Sequence, residues 1–164
     1  MRSPSAGRPR AGSAGRRCAV AFALACVSAA VLVGGAGAAA AQDDEPASPC
    51  APTVKACAVL SDRTAWLTDG EGDLIAGPIP MNHGGDAAPT PTGEFTVQWK
   101  NIDHVSSESA GFPMPYAVFF DGNGRAFHAG DVRSNSAGCI RLSSRAAELF
   151  YANLQPGDRV EILP

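Results

Sequence analysis

The segment AFHAGDVRSNSAGCIRL, residues 126–142, holds a histidine and a cysteine eleven positions apart. A thiol attacks a carbonyl only after giving up its proton, so a nucleophilic cysteine needs a base within hydrogen-bond reach. The loop between His128 and Cys139 is built from small polar residues and is long enough to fold back and set the two side by side. Ala137 and Gly138 leave room beside the thiol for a substrate carbonyl, and the backbone N–H groups there offer a site for a developing oxyanion. Arg141 stands two residues beyond Cys139. In an extended segment it points to the same side, where it can hold a carboxylate or phosphate or favour the thiolate. Ser136 reads as a partner for the loop backbone or the histidine rather than as a nucleophile. His83 and His104 suggest no metal site, because the chain has neither H-x-x-x-H nor C-x-x-C spacing. No metal and no cofactor are expected. His83 reads as a loop residue at the rim of a cleft.

The elements that must position this segment are short and mostly extended. Eighteen Gly and 13 Pro with 7% aromatic residues predict many turns rather than a helical bundle. β-prone runs stand at residues 53–60, 64–68, 74–79, 94–100, 116–121 and 126–128. Asp69-Gly70-Glu71-Gly72-Asp73 and Gly122-Asn123-Gly124 supply turns between them. One helix is expected over residues 143–154, where Ser143 or Ser144 can cap and Ala146, Leu149, Phe150 and Leu154 share a face. Gln155-Pro156-Gly157-Asp158 ends it, and RVEIL at 159–163 alternates as a closing strand. Trp66 and Trp99 are read as core or half-buried strand residues. The expected architecture is mainly β, sandwich- or barrel-like, with one helix in the C-terminal half.

The chain of 164 residues has room for one compact domain. Residues 1–41 read as a secretory signal: a basic region to Arg17, an apolar stretch over 18–33, then small residues ending at Ala41. The competing reading is an uncleaved membrane anchor, although the 16 apolar residues fall short of the ~20 that a spanning helix needs. Residues 42–52 (QDDEPASPCAP) read as a flexible linker, and residues 53–164 as the domain. Cleavage would remove Cys18 and Cys26, leaving Cys50, Cys57 and Cys139. In an oxidising compartment the natural accounting is one disulfide, Cys50 to Cys57, and one spare thiol at Cys139. Residues 42–164 carry eight basic and sixteen acidic side chains, a formal charge of −8. That balance, with no basic stripe, argues against nucleic acid as a partner.

His128, Gly130, Ser136, Gly138, Cys139 and Arg141 resemble the H-x-G and S-x-G-C-[IV]-R signature of the L,D-transpeptidase (YkuD-type) catalytic domain. TPTGEF at 90–95 is similar to that family's T-P-x-G-x-[FY] strand entry, and the resemblance covers about residues 53–163. It implies a domain outside the cytoplasm, acting on peptidoglycan stem peptides as donor and amine acceptor, with Cys139 as nucleophile and His128 as base. The implied reaction passes through a thioester, releases D-Ala and forms a 3→3 cross-link. With water as acceptor the product is that of an L,D-carboxypeptidase. In this family a backbone carbonyl just after the histidine orients it, a part that falls here to Ala129 or Gly130; the Asp131 carboxylate is the alternative. Ala137 departs from the family, many of whose members have a second histidine there. Residues 103–116 resemble the mobile flap over the site, with Met114 and Tyr116 as candidates for the pocket lining or, equally, for the core. The strained lactam of a carbapenem imitates the scissile amide, so an acylating Cys139 is expected to react with that class; the protein is expected to be a monomer that touches membrane only through an uncleaved leader. Two other classes stand beside this one. A sortase-like enzyme would place its His and Arg much further from the Cys, and a silent wall-binding domain would lack a reactive thiol.

Overall fold

The computed structural model describes residues 47–107 and 111–164. The leader expected over 1–41 and the first part of the linker lie outside them. The strands are β1 (Ala56–Val59), β2 (Thr64–Thr68), β3 (Leu74–Asn82), β4 (Gly93–Thr96), β5 (Trp99–Val105), β6 (Pro113–Phe119), β7 (Ala126–Ala129), β8 (Ile140–Leu142) and β9 (Arg159–Leu163). The single described helix, α1, spans Ser144–Asn153. The strands form one sheet in the order β4-β9-β1-β2-β3-β8-β7-β6-β5. Its two edge strands, β4 and β5, are neighbours in sequence, joined only by Val97 and Gln98. The three steps from Thr96 to Trp99 span at most roughly 10 Å, so the sheet has to curl until its edges nearly meet. Residues 94–100, expected as one strand, are therefore two. β4 pairs with β9 and β5 with β6, and the chain passes from one edge to the other between them.

Turn chemistry fixes the hairpins. The Asp69 carboxylate accepts from the N–H groups of Glu71, Gly72 and Asp73 at 2.7–3.1 Å, closing the β2–β3 turn. The Asp121 carboxylate does the same for Asn123 and Arg125, at 2.9 and 3.0 Å. Ser143 caps α1 by accepting from Ala146 N–H at 3.3 Å. At the other end of the helix, Lys100 Nζ donates to the carbonyls of Tyr151 and Leu154 at 2.7 and 2.6 Å, meeting the negative end of the helix with a cation.

The main core lies between α1 and one face of the sheet, with Phe127, Ile140 and Leu142 packed with Ala147, Phe150 and Leu154, all fully buried. Phe127 and Phe150 meet at 5.1 Å between ring centroids. Burying two such large side chains as Phe150 and Leu154 contributes about 1.5–3 kcal/mol each, enough to hold a helix of ten residues that would not persist alone. Because side chains alternate along a strand, fixing these residues toward α1 turns His128 and Arg141 to the opposite face.

The stretch expected as a flexible linker is tied down where it is described. Cys50 and Cys57 form a disulfide, and Ala51 N–H donates to the Glu161 carboxylate at 3.1 Å. This joins residues 50–51 to β1 and β9.

Candidate active site

Strands β7 and β8 run parallel with Phe127 opposite Ile140 and His128 opposite Arg141. Parallel neighbours need a connection that leaves the sheet and returns; here it is the loop 130–139, which delivers Cys139 to the start of β8. The register sets Arg141 beside His128, and Cys139, just before β8, reaches the same cavity, its thiol 4.0 Å from the Gly124 carbonyl oxygen. All three line one cavity of about 190 Å³ with Ser106, Phe112, Met114, Asn123, Gly124, Arg125, Ser136 and Ala137. His128 is 2% exposed and the Cys139 thiol is half-buried.

The His128 ring is held by its own strand. Nδ1 lies 2.8 Å from the Ala129 carbonyl oxygen. A carbonyl only accepts, so Nδ1 carries the proton and Nε2 keeps its lone pair for incoming acid. Asp131 is engaged elsewhere: its carboxylate accepts from Arg133 N–H and Nε at 3.0 and 3.1 Å.

The loop that carries Cys139 is braced from both sides. Ser136 Oγ donates to the Cys139 carbonyl and accepts from Gly138 N–H at 3.1 Å. The Gly138 N–H is thereby directed into the loop and not toward an oxyanion. Gly138 has φ +105°, a conformation in which any side chain is strained. Behind the loop, the buried Thr90 hydroxyl accepts from Gly84 N–H and donates to the Gly138 carbonyl, both at 2.9 Å. Asn82, fully buried, donates to the Val132 carbonyl at 3.1 Å, and Ser136 N–H donates to the His83 carbonyl at 2.9 Å. Gly84 is required for closeness: a Cβ there would meet the Ala88 carbonyl oxygen at 2.1 Å and Gly138 Cα at 2.9 Å.

Burial disfavours the charged form of both His128 and Cys139. Burial pushes the His128 pKa below the ordinary imidazole value; the Ala129 carbonyl opposes this, and the Arg141 charge adds to it. Burial pushes the Cys139 thiol above its ordinary value, against the Ala126 backbone N–H and the Arg141 charge; Asp121 adds to the rise and Arg125 opposes it. A neutral base beside a protonated thiol can take the proton as the sulfur attacks.

The family model of the L,D-transpeptidase catalytic domain matches residues 54–162. The chain belongs to this family. Among solved structures it is similar to an L,D-transpeptidase from Mycobacterium tuberculosis H37Rv, at 26% identity and TM-score 0.61, over 68% of this chain and 58% of that one. It is similar in fold to an L,D-transpeptidase from Stackebrandtia nassauensis, at 22% identity and TM-score 0.63, over 76% and 62%. A third neighbour is an L,D-transpeptidase in complex with imipenem, at 24% identity and TM-score 0.60, over 68% and 59%. The chain thus spans about three-fifths of the length of these structures. No curated protein matches it.

Within this L,D-transpeptidase domain, the residues singled out from the sequence divide. Cys139, His128, Ser136, Ala137, Arg141 and Met114 meet at the cavity. Tyr116 does not line it. Tyr116 has φ +58°, and its ring meets Tyr151 of α1 edge-on at 6.0 Å, on the side of the main core. Gly130 donates to the Leu142 carbonyl at 2.9 Å and lies against the Arg141 stem. Arg141 is not open-handed: NH1 donates to Ser134 Oγ at 2.9 Å and to the Asn135 carbonyl at 3.0 Å, and its guanidinium covers the Phe112 ring at 5.1 Å. Of the segment expected as a flap, residues 103–105 and 113–116 belong to paired strands, and residues 108–110 lie outside the described residues. Arg125 and Asn123 reach the cavity without having been singled out, and Thr90 and Asn82 brace the loop.

Proposed function

We propose that this protein is an L,D-transpeptidase of peptidoglycan that works through a thioester on Cys139. The observation that carries the reading is the pairing, on one cavity wall of an L,D-transpeptidase domain, of a half-buried thiol with an imidazole whose Nδ1 is held by a carbonyl. His128 Nε2 takes the thiol proton while Sγ bonds to the carbonyl carbon between the third residue of a tetrapeptide stem and its terminal D-Ala. The C–N bond then breaks, and the proton passes from Nε2 to the leaving amine of D-Ala. An acceptor amine attacks the thioester, gives its proton to Nε2, and the sulfur leaves and is reprotonated. With a side-chain amine of another stem as acceptor the product is a 3→3 cross-link. Ser136 positions the nucleophile through its bonds to Gly138 and Cys139. The protein acts outside the cytoplasm, exported by the leader at 1–41; its disulfide fits an oxidising compartment. The same sulfur is acylated by carbapenems, the class of ligand in the related imipenem complex.

The test is intact mass and product analysis after incubation with a disaccharide tetrapeptide, for the wild-type protein and Cys139→Ala. Release of D-Ala with dimer formation, both lost in the variant, is expected. D-Ala without dimer makes the protein an L,D-carboxypeptidase. Folded protein with a free thiol that gives neither adduct nor D-Ala refutes the reading.

A further inference from the structure

The geometry points to Arg125 as a specificity-determining residue that reads a free carboxylate of the donor stem beside the scissile bond, an inference that rests on the function proposed above. Arg125 stands just before β7 and lines the cavity with Cys139 and Arg141. It is rigidly aimed. NH1 donates to Asp121 Oδ2 at 2.7 Å, while Asp121 Oδ1 is held by the N–H groups of Asn123 and Arg125. Asp121 is nearly buried, with 8% of its side chain exposed against 29% for Arg125. On its other flank the arginine lies along the backbone just before the nucleophile, since a Cβ on Gly138 would stand 3.0 Å from Nε. An arginine fork fixed in this way has N–H groups beyond the one given to Asp121, in a geometry that matches a carboxylate.

Charge supports the same ligand. Arg125, Arg141 and Asp121 act together on the thiol, and their sum is one positive charge, in a body of formal charge −8 over residues 42–164. A cationic cavity in an anionic protein favours an anionic substrate end over a neutral one. In a stem peptide the carboxylate of the leaving D-amino acid is separated from the attacked carbonyl carbon only by the amide nitrogen and Cα; where the third residue is a diamino diacid, a second carboxylate stands at the far end of its side chain. Either meets the chemistry of Arg125.

The experiment compares kcat/KM for D-amino acid release among three donors: the free tetrapeptide acid, its terminal amide, and the stem amidated on the third residue's side-chain carboxylate. For the wild-type protein, amidation of the carboxylate that is read costs about tenfold to a hundredfold, the usual range for a hydrogen bond to a charged group. Which amide suffers identifies the carboxylate. Arg125→Gln reduces that ratio to about threefold or less, and Arg125→Lys retains part of it. The ratio is internal to each protein and does not depend on the fraction folded. Unchanged selectivity in Arg125→Gln, or a wild-type protein indifferent to both amidations, overturns the proposal. If the wild-type protein releases nothing from any donor, it is the proposed function that has failed.

Discussion

Thr90→Val separates bracing of the nucleophile loop from chemistry at the nucleophile. The Thr90 side chain is 4% exposed, and its hydroxyl joins two buried backbone groups, the Gly84 N–H and the Gly138 carbonyl. Valine keeps the volume and β-branching but can neither accept nor donate. Each backbone group left without a partner costs about 1–3 kcal/mol, so the expected loss is roughly 2–5 kcal/mol. For a domain of this size that lowers Tm by on the order of 6–20 °C. The second consequence is kinetic. Gly138 is the residue before Cys139, and a displacement of about 1 Å at a nucleophile costs on the order of a hundredfold. Acylation of Cys139 by imipenem, followed by intact mass at a temperature where the variant is fully folded, should slow by at least tenfold. Thr90→Ser retains the hydroxyl and should recover most of both losses. A Thr90→Val protein that melts within about 2 °C of wild type and acylates within about twofold would refute the bracing argument, since those limits fall below the cost of a single lost bond.

Three other outcomes follow from the same geometry. With the thiol held above its ordinary pKa, alkylation of Cys139 by iodoacetamide should keep rising as pH passes the normal thiol range; a plateau reached below neutrality would mean a preformed thiolate–imidazolium pair. His128 has a lowered pKa in the folded protein, so the unfolded chain binds its proton first as pH falls. The stability it contributes is complete above the ordinary imidazole value and is lost as pH drops from there toward the folded value; urea midpoints from pH 7 to 5 should fall less steeply for His128→Gln, and parallel slopes would contradict this. Replacing Cys50 and Cys57 together by Ser opens a loop of sequence separation 7. Loop-closure entropy sets the cost at roughly 2.5 kcal/mol, which thermal melting checks against a reduced wild-type control.

Much of the site was legible because its chemistry is local in sequence. His128, Ser136, Cys139 and Arg141 sit within one strand–loop–strand segment, and alternation along an extended segment predicts Cys139 and Arg141 on one side. The three residues of β8 are too short to show a period, so the strand that seats the thiol is invisible until β3 and β7 flank it. The break at Val97-Gln98 was hidden for a different reason. Residues 94–100 alternate as one strand would, and only the pairing partners, β9 before the break and β6 after it, distinguish two. Tyr116 and Met114 looked equivalent as neighbours of β6. The positive φ at Tyr116 turns its ring toward Tyr151, while Met114 faces the cavity. Arg125 carried no signal beyond its place after a glycine turn; Thr90 opens the TPTGEF motif, but its bracing of Gly138 acts across 48 residues of sequence, which no local pattern reports.

Burial of both groups bears on how the proposed site could be reactive and still persist in the oxidising compartment proposed for it. Desolvation is the largest influence on both groups, raising the thiol and lowering the imidazole, so it disfavours the ion pair twice over. A thiolate held ready would be the form most exposed to oxidation. In the proposed reaction the proton moves as a carbonyl offers the sulfur a bond, and the backbone around both groups is fixed beforehand. The Ala129 carbonyl holds the tautomer with Nε2 unprotonated, and Ser136 and Thr90 hold the backbone on either side of Gly138. The positive charge of Arg141 and Arg125 then favours the sulfur as it becomes anionic, and more strongly once substrate displaces water from the cavity. Removing either arginine should therefore slow acylation more than it shifts the resting thiol, because the charge it stabilises exists mainly during attack.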